Sequence, residues 1–182
     1  GVQKLVLLSG RGEPEAERCE QAVIQSGADW TIVRASWFMQ NFTESYMAEP
    51  IQAGFVALPV GEVGEPFIDA DDIADVAVAA LINNKHSQKI YEVTGPALLT
   101  FREAVAEIAK VRGKNIYYEA ISMNEYTTQL SLQGIPADIT NLLTYLFTEV
   151  LDGRNATVAN GIEQALGRKP TDFFTFLKKS MQ

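Results

Sequence analysis

An α/β fold built on a parallel sheet is the class this sequence predicts, and three observations predict it. Short apolar runs alternate with amphipathic segments of helical period through the first half of the chain. Capping boxes and glycine stops punctuate the helical segments. The 182 residues are 47% hydrophobic and 21% charged, ordinary for a globular protein and enough to bury a core without disulfides.

The elements follow in order. Residues 4–9 form a continuous apolar run, the pattern of a strand buried on both faces. Residues 15–26 read as a helix, with Ala16, Cys19, Val23 and Ser26 inward and Glu15, Glu17, Arg18, Glu20 and Gln21 mostly outward. Gly27 stops it, and Trp30–Val33 is the next strand, completing a β-α-β unit. A loop and helix occupy 36–49, and a short strand spans 55–58. Gly61, Gly64 and Pro66 mark a loop. Ile73, Val76, Ala77, Ala80 and Leu81 then give a helical stripe that starts near Asp69. Asp69, Asp71 and Asp72 suit that helix's N-terminus, a simpler account than a metal cluster. Residues 90–93 are a strand. Thr100–Glu103 and Ser122–Glu125 are capping boxes for two helices flanking a strand at 116–119. An apolar stripe from Ile139 to Leu151 predicts a further helix of four turns. Short helices at 158–166 and 172–179 finish a mostly helical second half.

Composition excludes several functions. The formal net charge is −8 and the basic residues are scattered, so direct nucleic-acid binding is not expected; a protein partner or a homodimer stays open. No apolar stretch is long enough for a membrane span. The single cysteine excludes an intrachain disulfide and suits a reducing cytoplasm. The chain runs straight into a strand without Met or a signal pattern, as if cut from something longer. His86, in NNKHSQK, reads as a solvated surface residue, and Cys19 as packing.

The runs KLVLLSGRGEPEAERCEQAVIQSGADWTIVRASWFMQN (4–41), PFIDADDIADVAVAAL (66–81), YEVTGP (91–96) and LTFREAVAEIAKVRGKNIYYEAIS (99–122), with ALGRKPTDFFTFLKK (165–179), resemble the NmrA-like, atypical branch of the short-chain dehydrogenase/reductase superfamily. The resemblance implies a Rossmann-like parallel sheet, N-terminally incomplete, over residues 1–94. It implies a mostly helical substrate or partner lobe over 95–182, with some strand exchange between the two. A complete member opens with a glycine-rich turn that holds a pyrophosphate on backbone N–H groups. Here the nearest pair, Gly10-Arg11-Gly12, leads into Glu13-Pro14-Glu15 and reads as an ordinary turn.

The superfamily's proton-relay Tyr and Lys, four residues apart on one helix face, fall on Gly12 and Ala16 and are therefore absent. Ser9 alone matches a member of that triad. It orients a nicotinamide amide or a substrate carbonyl, or it simply bonds its own backbone. RASWFMQNF (34–42) follows a strand on the same carboxyl edge, where ligands bind open α/β sheets. Relatives carry R-P-G-W-F-M-Q-N there, with Ala35-Ser36 replacing Pro-Gly in this chain. The resemblance thus assigns Ser9, Gly10, Ala35, Ser36, Trp37 and Phe38 to an NAD or NADP cofactor, and Met39 and Asn41 to substrate. The competing reading makes Trp37, Phe38 and Met39 core. No catalytic residue or metal ligand is assigned.

Three functions follow from this reading. One is an NAD(P)H-dependent oxidoreductase of the quinone-reductase kind, transferring hydride to a small molecule without the Tyr–Lys pair. Another is a non-catalytic redox sensor that binds dinucleotide and acts through a protein partner. A third is a piece inert by itself, with an open sheet edge.

Overall fold

The computed structural model describes residues 1–180. In chain order the elements are β1 (Lys4–Gly10), α1 (Pro14–Ile24), β2 (Asp29–Ala35), α2 (Ala48–Ala53), β3 (Phe55–Leu58), α3 (Ala70–Ile82) and β4 (Lys89–Val93). There follow α4 (Phe101–Arg112), β5 (Tyr117–Ala120), α5 (Met123–Leu132), α6 (Ala137–Tyr145), α7 (Gly161–Leu166) and α8 (Phe173–Ser180). Short 3-10 turns occupy Met39–Phe42 and Asn84–His86. The chain is an α/β fold with two parallel sheets.

The main sheet has the order β1-β2-β4. β1 pairs with β2 from Lys4↔Asp29 to Gly10↔Ala35, and β2 pairs with β4 from Thr31↔Lys89 to Ala35↔Val93. All three strands therefore end at one edge. β3 and β5 make a separate parallel pair, from Phe55↔Tyr117 to Leu58↔Ala120. The two-sided burial expected of residues 4–9 is not met. β1 has a single strand neighbour among the described residues, and its Leu8 is 52% exposed.

Two cores hold the fold. Val33, Tyr91 and Val93 of the sheet bury Ile73 and Val76 of α3 and Ile162 of α7. A larger core, rich in aromatic rings, lies between β3 and the helices of the second half. There Phe67 meets Phe42 and Phe101 edge-on, at centroid separations of 5.0 and 5.1 Å, the arrangement the ring quadrupoles favour.

The starts of α3, α4 and α5 and the Gly113 stop of α4 follow the sequence reading, whereas α1 ends at Ile24, before the expected Ser26-Gly27 stop, and α5 at Leu132, before Gly134. Asp69 caps α3, its Oδ1 accepting the Asp71 N–H at 3.1 Å. Asp72 does something else. It is buried, accepts the Thr171 N–H at 2.6 Å and pairs with Arg168 at 2.7 Å, fastening the segment before α8 to α3. Both capping boxes are formed. At α4 the Thr100 hydroxyl accepts the Glu103 N–H at 3.1 Å, and the Glu103 carboxylate accepts the Thr100 N–H at 2.8 Å. Thr100→Ala is expected to cost about 1 kcal/mol, read as a shift in the urea midpoint at constant m-value.

The single long helix expected over 139–151 is interrupted. α6 ends at Tyr145, and residues Leu146–Val150 form a π turn, closed by the Leu151 N–H donating to the Leu146 carbonyl at 3.1 Å.

Several side chains are placed against the sequence reading; Ser26, expected inward, is exposed and donates its hydroxyl to the Val23 carbonyl at 2.7 Å. His86 is fully buried, not solvated: its Nδ1 lies 2.8 Å from the Tyr91 hydroxyl, and its carbonyl accepts the Thr31 hydroxyl. Burial, with Lys85, Lys89 and Lys4 around it, lowers its pKa. Cys19, expected to pack, is exposed. Glu20, expected outward, is fully buried and belongs to the site described next. Among the described residues no helix is long and apolar enough to cross a membrane.

Candidate functional site

The parallel register dictates where the site lies. Ser9 stands beside Arg34 and Gly10 beside Ala35 at the carboxyl ends of β1 and β2. Both strands leave the sheet there, so their last residues and the loops that follow border one cleft of about 470 Å³. Ser9, Gly10, Ala35, Ser36, Trp37, Phe38 and Asn41 all line it. Met39 does not. It is buried in the aromatic core, and its N–H is held by the Ile68 carbonyl at 2.8 Å, which turns the side chain inward. Its assignment to substrate is corrected on that ground. The opposite wall comes from far along the chain: Leu142 and Leu143 of α6, with Leu146 and Val150 of the π turn.

The loop after β2 is fixed by backbone bonds. Ser36 N–H donates to the Val93 carbonyl at 3.2 Å, and Ile68 N–H donates to the Trp37 carbonyl at 2.9 Å. Gln40 reaches Asp69 and Ala70, tying the loop to the start of α3. Trp37 packs on Phe101 and Phe147 at 5.5 and 5.4 Å, so it serves core and cleft together. The core reading offered for it from sequence is met, and the same ring also lines the cleft.

Ser9 does not bond its own backbone. Its hydroxyl donates to Glu20 Oε1 at 2.6 Å. Arg34 donates to both oxygens of the same carboxylate, from Nε at 2.8 Å and Nη2 at 2.6 Å. Glu20 is 0% exposed. Burial works to raise its pKa, but the hydrogen bonds from Arg34 and Ser9 and the Arg34 charge outweigh it and hold the carboxyl below its ordinary value. The Ser9 hydroxyl proton is thereby committed, and its oxygen lone pairs remain to accept.

Arg11 lines the cleft but is not free to receive a phosphate. Its guanidinium donates to Glu92, to the Asn155 and Thr157 carbonyls and to the Thr157 hydroxyl, at 3.2, 2.9, 2.8 and 2.8 Å. The Asn155 amide returns a bond to the Arg11 carbonyl at 3.0 Å. That amide also explains Gly12. A Cβ on Gly12 would lie 2.5 Å from Asn155 Nδ2, and the backbone there has φ +72, so the position cannot carry a tyrosine without displacing Asn155. Glu13 folds back beside Gly10, and burial raises its pKa.

Two polar groups stand out. Ser36 is 4% exposed, and its Oγ has no hydrogen-bond partner among the described residues. Glu65 is 1% exposed, and among the described residues its side chain accepts a hydrogen bond only from the Trp37 N–H, at a long 3.3 Å. Desolvation pushes its pKa up to about 7, against smaller opposing effects of the Trp37 N–H and the Arg11 charge; Ser36 approaches it without reaching hydrogen-bond geometry. Sequence reasoning missed both Glu20 and Glu65.

The NmrA-like family model matches residues 17–180. Prestalk A differentiation protein A of Dictyostelium discoideum is 32% identical over 184 residues, covering 98% of this chain and 60% of its own length. The NAD(P)H azoreductase of Xenophilus azovorans is 31% identical over 159 residues, covering 87% of this chain and 55% of its own. This chain thus spans less than two thirds of the curated relatives it matches. Among solved structures, an Escherichia coli NADPH-dependent quinone oxidoreductase complexed with NADPH has a TM-score of 0.85 at 20% identity, over 100% of this chain and 67% of its own. A Citrobacter triphenylmethane reductase complexed with NADP(H) has a TM-score of 0.80 at 16% identity, over 99% and 66%. At those identities the likeness is one of fold.

Proposed function

The chain belongs to the NmrA-like family, and we propose that its cleft takes the nicotinamide end of NAD or NADP in an oxidoreductase that reduces a flat, apolar acceptor of the quinone kind. The observation that carries this reading is the convergence of Ser9 and Ala35–Phe38 on one cleft at the carboxyl edge of parallel strands, with the buried, unpartnered Ser36 hydroxyl in its wall.

The residues fit that end of the cofactor and no other part of it. A carboxamide needs an acceptor and a donor close together, which Ser9 Oγ and Ser36 Oγ offer. A ring needs flat apolar walls, which Trp37, Phe38 and Leu146 offer. The pyrophosphate has no receptor here, because the Arg11 donors are engaged and Glu13 adds a carboxyl to the same wall. Bound reduced, the cofactor supplies a hydride. This chain's residues hold its ring and the acceptor in contact and keep water from between them. The relatives named as azoreductase and quinone oxidoreductase support an acceptor of conjugated, planar type.

A sensor that binds dinucleotide without turnover is the second reading. The packing of Asn155 over Gly12, which excludes a relay tyrosine, favours it. Calorimetric titration with NADPH and NADH, followed by steady-state turnover on a panel of simple quinones, separates the two. Binding with turnover supports the oxidoreductase, and binding alone supports the sensor. No binding removes both. Ser36→Ala tests the site directly. Because its hydroxyl has no partner, the change should leave thermal stability within about 0.5 kcal/mol of wild type or raise it. It should weaken dinucleotide binding by about five- to tenfold, the loss of one hydrogen bond.

A further inference from the structure

We propose that Glu65 is the proton donor of this cleft, serving the oxygen of a quinone acceptor in place of the absent tyrosine and lysine. The inference rests on the oxidoreductase reading above.

The loop GEVGEPF places this carboxyl with unusual firmness. Glu65 exchanges two backbone hydrogen bonds with Leu99, at 2.9 and 3.0 Å, and the next carbonyl, Pro66, accepts the Gly95 N–H at 3.0 Å. The side chain is turned into the cleft wall with 1% exposure. Its environment contrasts with that of Glu20. Glu20 receives an arginine fork and a hydroxyl, so it stays ionised. Glu65 receives one long backbone N–H. Arg11 acts on it only through space, since its donors lie on Glu92, Asn155 and Thr157. The other titratable groups lining the cleft are Glu13 and Tyr46. A carboxyl and a phenol carry no positive charge in either protonation state, so neither group offsets the desolvation of Glu65. A carboxyl so placed retains its proton near neutral pH, the condition for a general acid.

The step balances. The quinone takes a hydride, one proton and two electrons, from the reduced nicotinamide dinucleotide, which leaves oxidised. It takes a second proton from the Glu65 carboxyl. Both quinone C=O groups end as hydroxyls of the hydroquinone, and solvent reprotonates the Glu65 carboxylate.

The test compares wild type with Glu65→Gln and Glu65→Asp. Glutamine keeps the shape and an acceptor for the Trp37 N–H; aspartate keeps an acid. Infrared titration of the unliganded protein should show a carboxyl C=O band that disappears as pH rises through about 7 and is missing in E65Q. In turnover, kcat/KM of wild type should fall above that pH, because the donor must be protonated. E65Q should lose about 100-fold and the alkaline limb together, with dinucleotide affinity within threefold of wild type. E65D should be slower but retain an alkaline limb. E65Q with wild-type rate and pH profile overturns the donor role and leaves the oxidoreductase reading standing. So does an infrared titration without a carboxyl above pH 6, which decides the matter should E65Q fail to fold. A wild-type protein that binds no dinucleotide or reduces no quinone overturns both.

Discussion

Glu20→Ala is expected to destabilise the protein by about 3 kcal/mol and lower its melting temperature by roughly 10 °C. Glu20 is the fully buried residue of α1, and its carboxylate is the common acceptor for Ser9 and for both arms of the Arg34 fork. Removing it leaves a guanidinium that is only 20% exposed with the partial, 3.6 Å attraction of Glu92. The lost pair matters less than the uncompensated charge that stays behind, which is why deleting one member costs more than the pair contributes. The effect has a pH signature. The folded Glu20 pKa lies below its ordinary 4.5, so its contribution is present above that value and is lost as pH falls through the folded one. The gap between wild type and E20A, measured by urea denaturation, should therefore be wide at pH 7 and narrow in acid. Ser9 also loses the acceptor that orients its hydroxyl, so dinucleotide affinity should fall with stability.

Gly95→Ala is expected to cost at least about 3 kcal/mol, although an extra methyl is the smallest change a side chain allows. The cause is contact rather than backbone conformation. A Cβ at Gly95 would overlap the Phe67 carbonyl oxygen and lie 3.1 Å from its carbon, with Met39 Cε at 3.4 Å. Backbone cannot swing aside as a side-chain tip can. Relief requires the end of β4 to part from residues 66–68, breaking the Gly95–Pro66 bond and disturbing the Trp37–Ile68 bond on the other side. Gly61→Ala, where nothing lies within 4 Å of the new Cβ, is the control and should change stability by less than about 0.5 kcal/mol. Both are read from unfolding curves.

Local pattern carried most of the elements into the sequence reading. The stripe from Ile73 to Leu81 became α3, and Thr100 and Ser122 cap α4 and α5 as their boxes predict. The parallel register followed from the same reading and brought Ser9 beside the segment after Arg34. What escaped is non-local. Glu20 was sorted outward because it is charged, yet Arg34, fourteen positions on, supplies the counter-charge from the strand beneath. A carboxylate facing the shared end of two predicted parallel strands, one closing on Arg34, was the available signal. His86 sits in a polar run, but Thr31 and Tyr91 enclose it across the sheet. Glu65 had no periodicity to betray it. Its inward turn depends on pairing with Leu99, beyond a helix and a strand.

The π turn at Leu146–Val150 bears on how this cleft diversifies. A helix advances about 100° per residue, so one surplus residue in the ladder rephases everything after it. Upstream of that surplus, Leu142 and Leu143 meet the cleft, and the turn itself brings Leu146 and Val150 to it while Phe147 and Leu151 stay among the aromatic rings. Losing or gaining a single codon there would swing one half of the wall against the other without altering Ser9, Gly10 or the residues that follow β2. The shape of the cleft in such a scaffold is thus tunable by chain length at one point, a coarser and quicker route to novelty than substitution along the wall.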